Sequence, residues 1–414
     1  MFTSFSTALS ALRADSTAID VVGNNLANLN STGYKTNVVS FHDLVTQSLA
    51  VGNGETQVGF GVARPTTFRE FTQGALQTTG GVLDAAIQGD GFFLVRGLDG
   101  STQFTRGGNF QVDRNGTLVT ATGEMVQGWT QTNGVVDTNG ATGNITVPTG
   151  TINAPVPTTT FSLDLNLNAA ATAGPPADTF STAVQVFDSL GESHIVTAKF
   201  TKNVAAGQWD YSVTVPTADL KAAFTPVTGS LKFDSQGKLV TPAAADPATA
   251  VKITGLADGA ADLTLNWNVY NGASARITQY AQPSTVSAVN QDGAASAQLV
   301  RVGISDGGNV VALFSNGKQA TVGQLAMVSI RNPESLLAAG NNNFIAGGNT
   351  AGPAIGLPGT GGRGNVVGGA VETSNVDIAR EFTNLIVLQR GYQANAKIIT
   401  AVDQLSQDTI NLIR

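Results

Sequence analysis

The two ends of this chain constrain its fold more than anything between them. Phe5, Leu9, Leu12, Ser16, Ile19, Gly23 and Leu26 recur at alternating intervals of four and three, the spacing that lays a seam along one side of a helix. Ser16 and Gly23 interrupt that seam only with small groups, which allow a neighbouring helix to come close. The Asn-rich NNLANLNSTG of residues 24–33 stops the helix, because Asn30 and Gly33 tolerate turn or left-handed backbone. At the other end, Ser374 or Asn375 is placed to cap a helix carrying Ile378, Phe382, Leu385, Leu388, Tyr392, Ile399, Val402, Leu405 and Leu412. Running from about residue 376 to 413 at 1.5 Å per residue, this helix would be roughly 55 Å long, more than a small domain covers. Both termini therefore predict amphipathic helices that need a partner, and copies of the same chain laid side by side would bury them.

The interior changes period. Residues 55–75 alternate around Val58, Phe60 and Val62, GFFLVR at 91–96 follows a turn-rich QGDG, and 104–128 breaks into strand-sized pieces separated by glycine turns. Residues 136–180 are rich in Thr, Asn, Ala and Pro and read as a boundary with a strand at TTFSLDLNL. STAVQVFDSLGESHIVTAKFTK then predicts a hairpin turning at DSLG, followed by a strand at WDYSVTV. Strand patterns return at 295–304 and 309–314, and the glycine-rich 340–370 predicts an extended return path to the last helix. With 48 glycines in 414 residues and 42% hydrophobic content, the expectation is a mainly β multidomain protein. Its β domains are nested between long N- and C-terminal α-helices that form a coiled-coil-like axial domain. The boundaries expected are 1–32 with 372–414 for the axial helices and 33–75 with 350–371 for a connecting region. An inner β domain is expected at 76–145 with 281–349, and an outer β domain at 146–280.

Charge and chemistry narrow the function classes. The 22 basic and 29 acidic residues give a net charge of -7 without a long run of either sign, so no basic surface points to nucleic acid or anionic membrane. Cysteine is absent, which excludes disulfides and thiolate chemistry. The amino terminus lacks the pattern of a cleaved secretory signal, and no apolar run is long enough to insert in a membrane. His42 and His194 are the only histidines, and no local spacing joins them to carboxylates as metal ligands. Asp84, Asp90, Asp99 and Asp113 each lie near glycine, where Asp builds turns. DRNGT at 113–117 lacks the acidic spacing of a calcium loop. No catalytic residue, metal or cofactor is expected.

The residues at the termini carry more than periodicity. SALRADSTAIDVVGNNLANLNSTGYK at 10–35 and VETSNVDIAREFTNLIVLQRGYQANAKIITAVDQLSQDTINLIR at 371–414 resemble the two terminal signatures of the bacterial flagellar rod and hook axial protein family. Asn24, Asn25, Leu26, Ala27, Asn28, Thr32, Gly33, Tyr34 and Lys35 stand at the centre of the first. GALQTTGGVLDAAIQGDGFFLV resembles an interior part common to both branches. VFDSLGESHIVTAKF, QWDYSV, LKFDSQGKL and VALFSNGKQATVGQLAMVSIRNPESL resemble the hook branch.

That resemblance implies a structural subunit stacked helically into a hollow curved tube outside the cell, a joint that passes motor torque from rod to filament. It implies a homo-oligomer whose further partners are the distal rod, hook cap, hook–filament junction and flagellar export proteins, with export that leaves the amino terminus uncleaved. Assembly residues are then expected at Leu9, Leu12, Ile19, Asn24, Asn25, Leu26 and Asn28, and at Phe382, Leu385, Tyr392, Ile399, Val402 and Leu405. A distal rod protein would share the same termini. A secreted carbohydrate-binding β module would instead need a convergent polar cleft.

Overall fold

The computed structural model describes every residue except 1, 45, 52–53, 133–134, 151 and 413–414. Neither end has a proline within its helical stretch, and each has one glycine, so α-helix persists over Phe2–Ala27 (α1) and Ile378–Leu412 (α2). At 1.5 Å per residue they are about 39 and 52 Å long. No helix among the described residues is long and apolar enough to cross a membrane.

One detail of the helix ends differs from expectation. Asn30 lies in a turn and Gly33 takes left-handed backbone at φ 69°, as expected, and positive φ outside glycine is confined to Asn341 and Asn342 among the described residues. Gly33 is also the only residue type that fits, since a Cβ there would lie 2.5 Å from the Gly107 nitrogen. The α2 cap is neither Ser374 nor Asn375 but Asp377, whose Oδ1 accepts from the amides of Ala379 at 2.8 Å and Arg380 at 3.1 Å. Asn375 is committed elsewhere, accepting from the Thr36 amide and hydroxyl at 2.8 and 2.7 Å.

The chain divides into two compact units, Met1–Thr149 with Arg301–Leu313 and Gln319–Arg414, and Gly150–Val300 with Phe314–Lys318. In the helix-bearing unit the outgoing and returning chains pair strand to strand. Leu76–Thr78 pairs with Ala370–Glu372, and Ala85–Gln88 with Asn365–Gly368, both antiparallel. Beyond these ladders lies an antiparallel sheet in the order Gln319–Leu325, Met125–Thr132, Phe92–Arg96, Thr102–Thr105, Asn343–Ile345 and Leu337–Gly340. Phe92, Leu94, Phe104, Trp129, Val328 and Phe344 fill its core. Phe71 sits edge-on to Phe92 and Phe344, with ring centroids 5.5 and 5.2 Å away.

The second unit is a sandwich. One sheet is a meander of Thr179–Phe187, Ser193–Lys202, Gln208–Thr214, Val227–Phe233 and Leu239–Thr241. The expected hairpin is present, with Val186 opposite His194 at its turn. The other sheet contains Thr249–Ile253, Leu263–Trp267, Thr160–Asn166, Ile277–Thr278 and Thr285–Gln291. Period-two burial along Ser193–Lys202 sends His194, Val196, Ala198, Phe200 and Lys202 inward. Trp267, fully buried, stacks on Phe161 at 6.0 Å and meets Tyr211 edge-on at 5.1 Å.

Candidate functional site

α1 and α2 lie antiparallel against each other. Asn25 donates to Glu381 Oε2 at 3.2 Å near one end, and ten residues back along α1 Asp15 Oδ2 accepts from Asn395 at 3.1 Å. The α1 face turned to α2 is a heptad row of mostly small groups, Ala8, Ala11, Asp15, Ala18, Val22 and Asn25, of which Ala8, Ala18, Val22 and Asn25 are buried. On α2 the covered row is Glu381, Leu385, Leu388, Asn395, Ile399, Val402 and Ser406, buried at Glu381 and half-buried beyond it. Small side chains on one helix against longer ones on the other let the two approach closely.

Each helix carries a second apolar row, which the chain covers only in part on α1 and leaves open on α2. On α1 it is the seam from Phe5 to Leu26, about 100° around the helix from the covered row. Phe5 is 41% exposed, and Leu9, Leu12, Ile19 and Leu26 are half-buried. On α2 it is Val387, Ala394, Ile398, Ala401 and Leu405, about 110° from the covered row and exposed throughout. Where both helices meet strand Asn37–Ser40, a groove of about 260 Å³ opens, lined by Ala18, Val22, Val38, Phe41, Val387 and Leu388 among others.

A buried polar network fixes the helices to the β structure. Asn25, 1% exposed, donates to the Asn37 carbonyl at 2.8 Å and accepts from the Asn37 amide at 3.0 Å and the Tyr34 hydroxyl at 3.1 Å. Next to it Lys35 Nζ meets Glu372 Oε1 at 2.6 Å and donates to the Thr72 carbonyl at 2.6 Å. Arg106 Nη1 reaches Glu372 Oε2 at 3.1 Å, with its guanidinium carbon 5.4 Å from the Phe92 ring centre. Side chains of Lys35 and Glu372 are wholly inaccessible. Burial pushes the Lys35 ammonium below its ordinary pKa, against the opposing pull of Glu372. Such a cluster tolerates poorly the loss of one member, because the remaining charges stay buried without a partner.

Known proteins match this chain along its whole length. Family models match four consecutive segments: flagella basal body rod protein at 5–35, flagellar hook protein FlgE/F/G D1 domain at 86–162, flagellar basal body protein FlaE D2 domain at 165–294, and flagellar basal body rod FlgEFG protein C-terminal at 367–412. The flagellar hook protein FlgE of Escherichia coli is 33% identical over 419 residues, covering 99% of both chains. That of Treponema pallidum is 32% identical over 468 residues, covering both completely.

The chain belongs to the FlgE family of flagellar hook proteins.

A crystal structure of Helicobacter pylori flagellar hook protein FlgE2 superposes with a TM-score of 0.53 at 13% identity, covering 70% of this chain and 98% of that one, and supports the fold. As a FlgE-type hook subunit the protein is structural, oligomeric and extracellular, and it is not an enzyme. The terminal segments matched by the family models contain both helices and most of the polar network.

The expected assembly residues divide into three groups. Leu385, Ile399 and Val402 belong to the covered α2 row, half-buried against α1. Phe382, Tyr392 and Leu405 are open at 51%, 42% and 57% exposure, and Leu9, Leu12, Ile19 and Leu26 line the half-exposed α1 seam. The asparagines act within the chain. Asn24 accepts from the Tyr34 hydroxyl at 2.9 Å, Asn28 donates to the Asn24 carbonyl at 2.9 Å, and Asn25 lies at the network's centre. Sequence reasoning did not find Glu372, Arg106 or the alanine row. The 3–4–3 spacing of Ala8, Ala11, Asp15 and Ala18 was the signal for the last, hidden by the low hydropathy of alanine and by the charge of Asp15.

Proposed function

We propose that copies of this hook subunit pack the uncovered rows of α1 and α2 onto one another, forming the inner wall of a hollow, curved tube that passes torque from rod to filament. The observation that carries this reading is the second apolar row of α2, where Val387, Ile398 and Leu405 are 64%, 46% and 57% exposed. An exposed apolar strip of such length on a water-soluble chain marks an interaction surface. A heterologous contact that does not close on itself makes a helical assembly.

The nested arrangement extends the proposal. The terminal segments around α1 and α2 form the axial layer, 33–75 and 350–371 connect it, the sheet of the helix-bearing unit forms the inner β domain, and the sandwich forms the outer one, its strand Thr285–Gln291 carrying it past the boundary expected at 280. The self-contained core of the sandwich supports an outer body that keeps its shape while neighbouring contacts change. The distal rod, hook cap, hook–filament junction and export proteins are the further partners, and export leaves the amino terminus in place.

Electron microscopy of the full chain under assembly conditions, with the hook cap protein added, tests the packing. Ile398→Asp is expected to abolish tubes, because assembly would bury an unpaired carboxylate, while the free subunit keeps its circular dichroism. Normal tubes from that variant would sink the proposed wall. Mass spectrometry of secreted subunits should find the terminal segment intact, and cleavage tens of residues downstream would refute the export reading.

A further inference from the structure

Three loops of the sandwich unit converge on His194. The hairpin turn at 188–192, the short turn Thr217–Asp219 and the loop at 254–262 are tied by backbone and side-chain bonds. The Ala257 amide donates to the Asp219 carbonyl at 2.9 Å, Lys221 to Gly255 at 2.8 Å, and Ala261 to Ser189 Oγ at 3.0 Å. The imidazole, only 4% exposed, is surrounded by carboxylates. Nε2 lies 3.2 Å from Asp188 Oδ2 and 4.0 Å from Asp258 Oδ2, and Nδ1 lies 3.3 Å from Asp219 Oδ2 but makes no hydrogen bond.

The cluster does not complete itself. Asp188 is inaccessible, and its Oδ1 is held by the amides of Leu190 at 2.8 Å and Glu192 at 2.9 Å, so that Oδ2 is turned to the ring. Asp258 is held the same way, with Oδ1 accepting from the Ala260 amide at 3.0 Å and Oδ2 turned to the ring. A neutral imidazole has a single N–H for three facing carboxylates, and a charged one still leaves an excess of two negative charges. Either state leaves the buried Asp188 and its partly exposed neighbours Asp219 and Asp258 with an excess of negative charge around the ring.

We propose that Asp188, His194 and Asp258 bind a divalent transition-metal ion of the zinc class, with Asp219 as the positioning residue for the imidazole. The three donor atoms lie within 4.8 Å of one another. Zinc bonds of 2.0–2.2 Å in a tetrahedron place donors about 3.3 Å apart, so the 3.2 Å pair already fits and the 4.0 Å pair needs a small contraction. Nε2 then gives its lone pair to the ion, and Nδ1–H turns to Asp219, an arrangement that metal-bound histidines commonly use. Asp258 is exposed, which leaves the fourth position to water. One nitrogen with carboxylate oxygens suits zinc-class ions better than calcium, which takes six to eight oxygens. Bound metal clips the three loops together at one end of the sandwich.

The test is calorimetric titration of EDTA-treated full chain with zinc chloride at neutral pH, alongside thermal unfolding and the visible spectrum of the cobalt(II) form. One ion per chain is expected, with a higher unfolding temperature. Asp258→Asn, a change at an exposed position, should weaken binding at least about tenfold without altering circular dichroism. Asp219→Asn should weaken it about 10–100-fold while retaining the cobalt band, which separates positioning from ligation. His42→Gln, at the exposed second histidine, should change nothing. No binding in the wild-type chain, equal binding in Asp258→Asn, loss of binding in His42→Gln, or calcium binding as tight as zinc would each overturn the proposal.

Discussion

The sandwich unit and the terminal helices both carry apolar side chains in regular rows, but they dispose of them oppositely. In the sandwich the two inner faces meet, and Trp267, Phe161, Phe200 and Leu265 are each 0–1% exposed. In the helix pair the second row is half-covered on α1 and open on α2, where Phe382, Ile386, Val387 and Leu405 stand more than half open. A sheet has two faces and can close one against another sheet, whereas a helix has a continuous circumference that one antiparallel neighbour covers only in part. The sandwich is therefore closed within a single chain, and the helices leave apolar surface open.

Trp267→Ala should give the largest loss of stability. Removing this side chain from a fully closed core is expected to cost about 3–5 kcal/mol, near the upper end of that range. Chemical unfolding of the full chain should show the loss in the sandwich transition, with little change in helix protection by hydrogen exchange. A loss below about 1 kcal/mol would contradict a closed core.

Glu372→Gln comes next, at about 3 kcal/mol, because Lys35 and Arg106 remain buried without their counter-charge. Here the contrast reverses: hydrogen exchange should quicken in α1 and α2 while the sandwich transition stays in place. Equal loosening of both units would show that the network is not specific to the helices.

Adjacent positions on α2 sharpen the comparison further. Ile399 is half-buried towards α1, whereas Ile398 is 46% exposed. Ile399→Asp should destabilise the free helix pair by about 1–3 kcal/mol and lower tube yield as a consequence. Ile398→Asp should cost the free chain less than about 1 kcal/mol. Matching unfolding curves for the two variants would refute the division into covered and uncovered rows.

The smallest effect is with pH. Burial raises the pKa of Glu124, but hydrogen bonds from Thr120, Thr122 and Asn341 outweigh it and hold the carboxyl below its ordinary 4.5. A depressed acid contributes stability that is present above 4.5 and is lost as pH falls through the lowered value. Glu124→Gln should therefore flatten the acid side of the stability profile of the helix-bearing unit. An unchanged acid limb would remove Glu124 from this account.

What could be read in advance follows the same division. The hairpin at Thr179–Lys202 was legible because alternation and the DSLG turn are local signals, and the large-residue helix seams were legible because their period is local too. The row that holds α1 to α2 was not, since alanine adds little to a hydropathy pattern and Asp15 interrupts it. The cap was misplaced because Ser374, Asn375 and Asp377 are all good capping residues, and only the fold shows that Asn375 is bound to Thr36. His194 showed no metal-ligand spacing because Asp219 and Asp258 stand 25 and 64 positions further along the chain.

The buried network also sets an order of events. Asn25 meets Glu381 across 356 positions and Lys35 meets Glu372 across 337. A loop of that length is entropically affordable, since each doubling adds only about 0.6 kcal/mol, but its closure has to wait for the last-made residues. The sandwich unit, made entirely before Gln319, can fold while the amino-terminal strip stays unpaired. The closing step is thus a completion signal: a truncated chain lacks Glu372 and α2 and never acquires the paired helices that a neighbour would dock against.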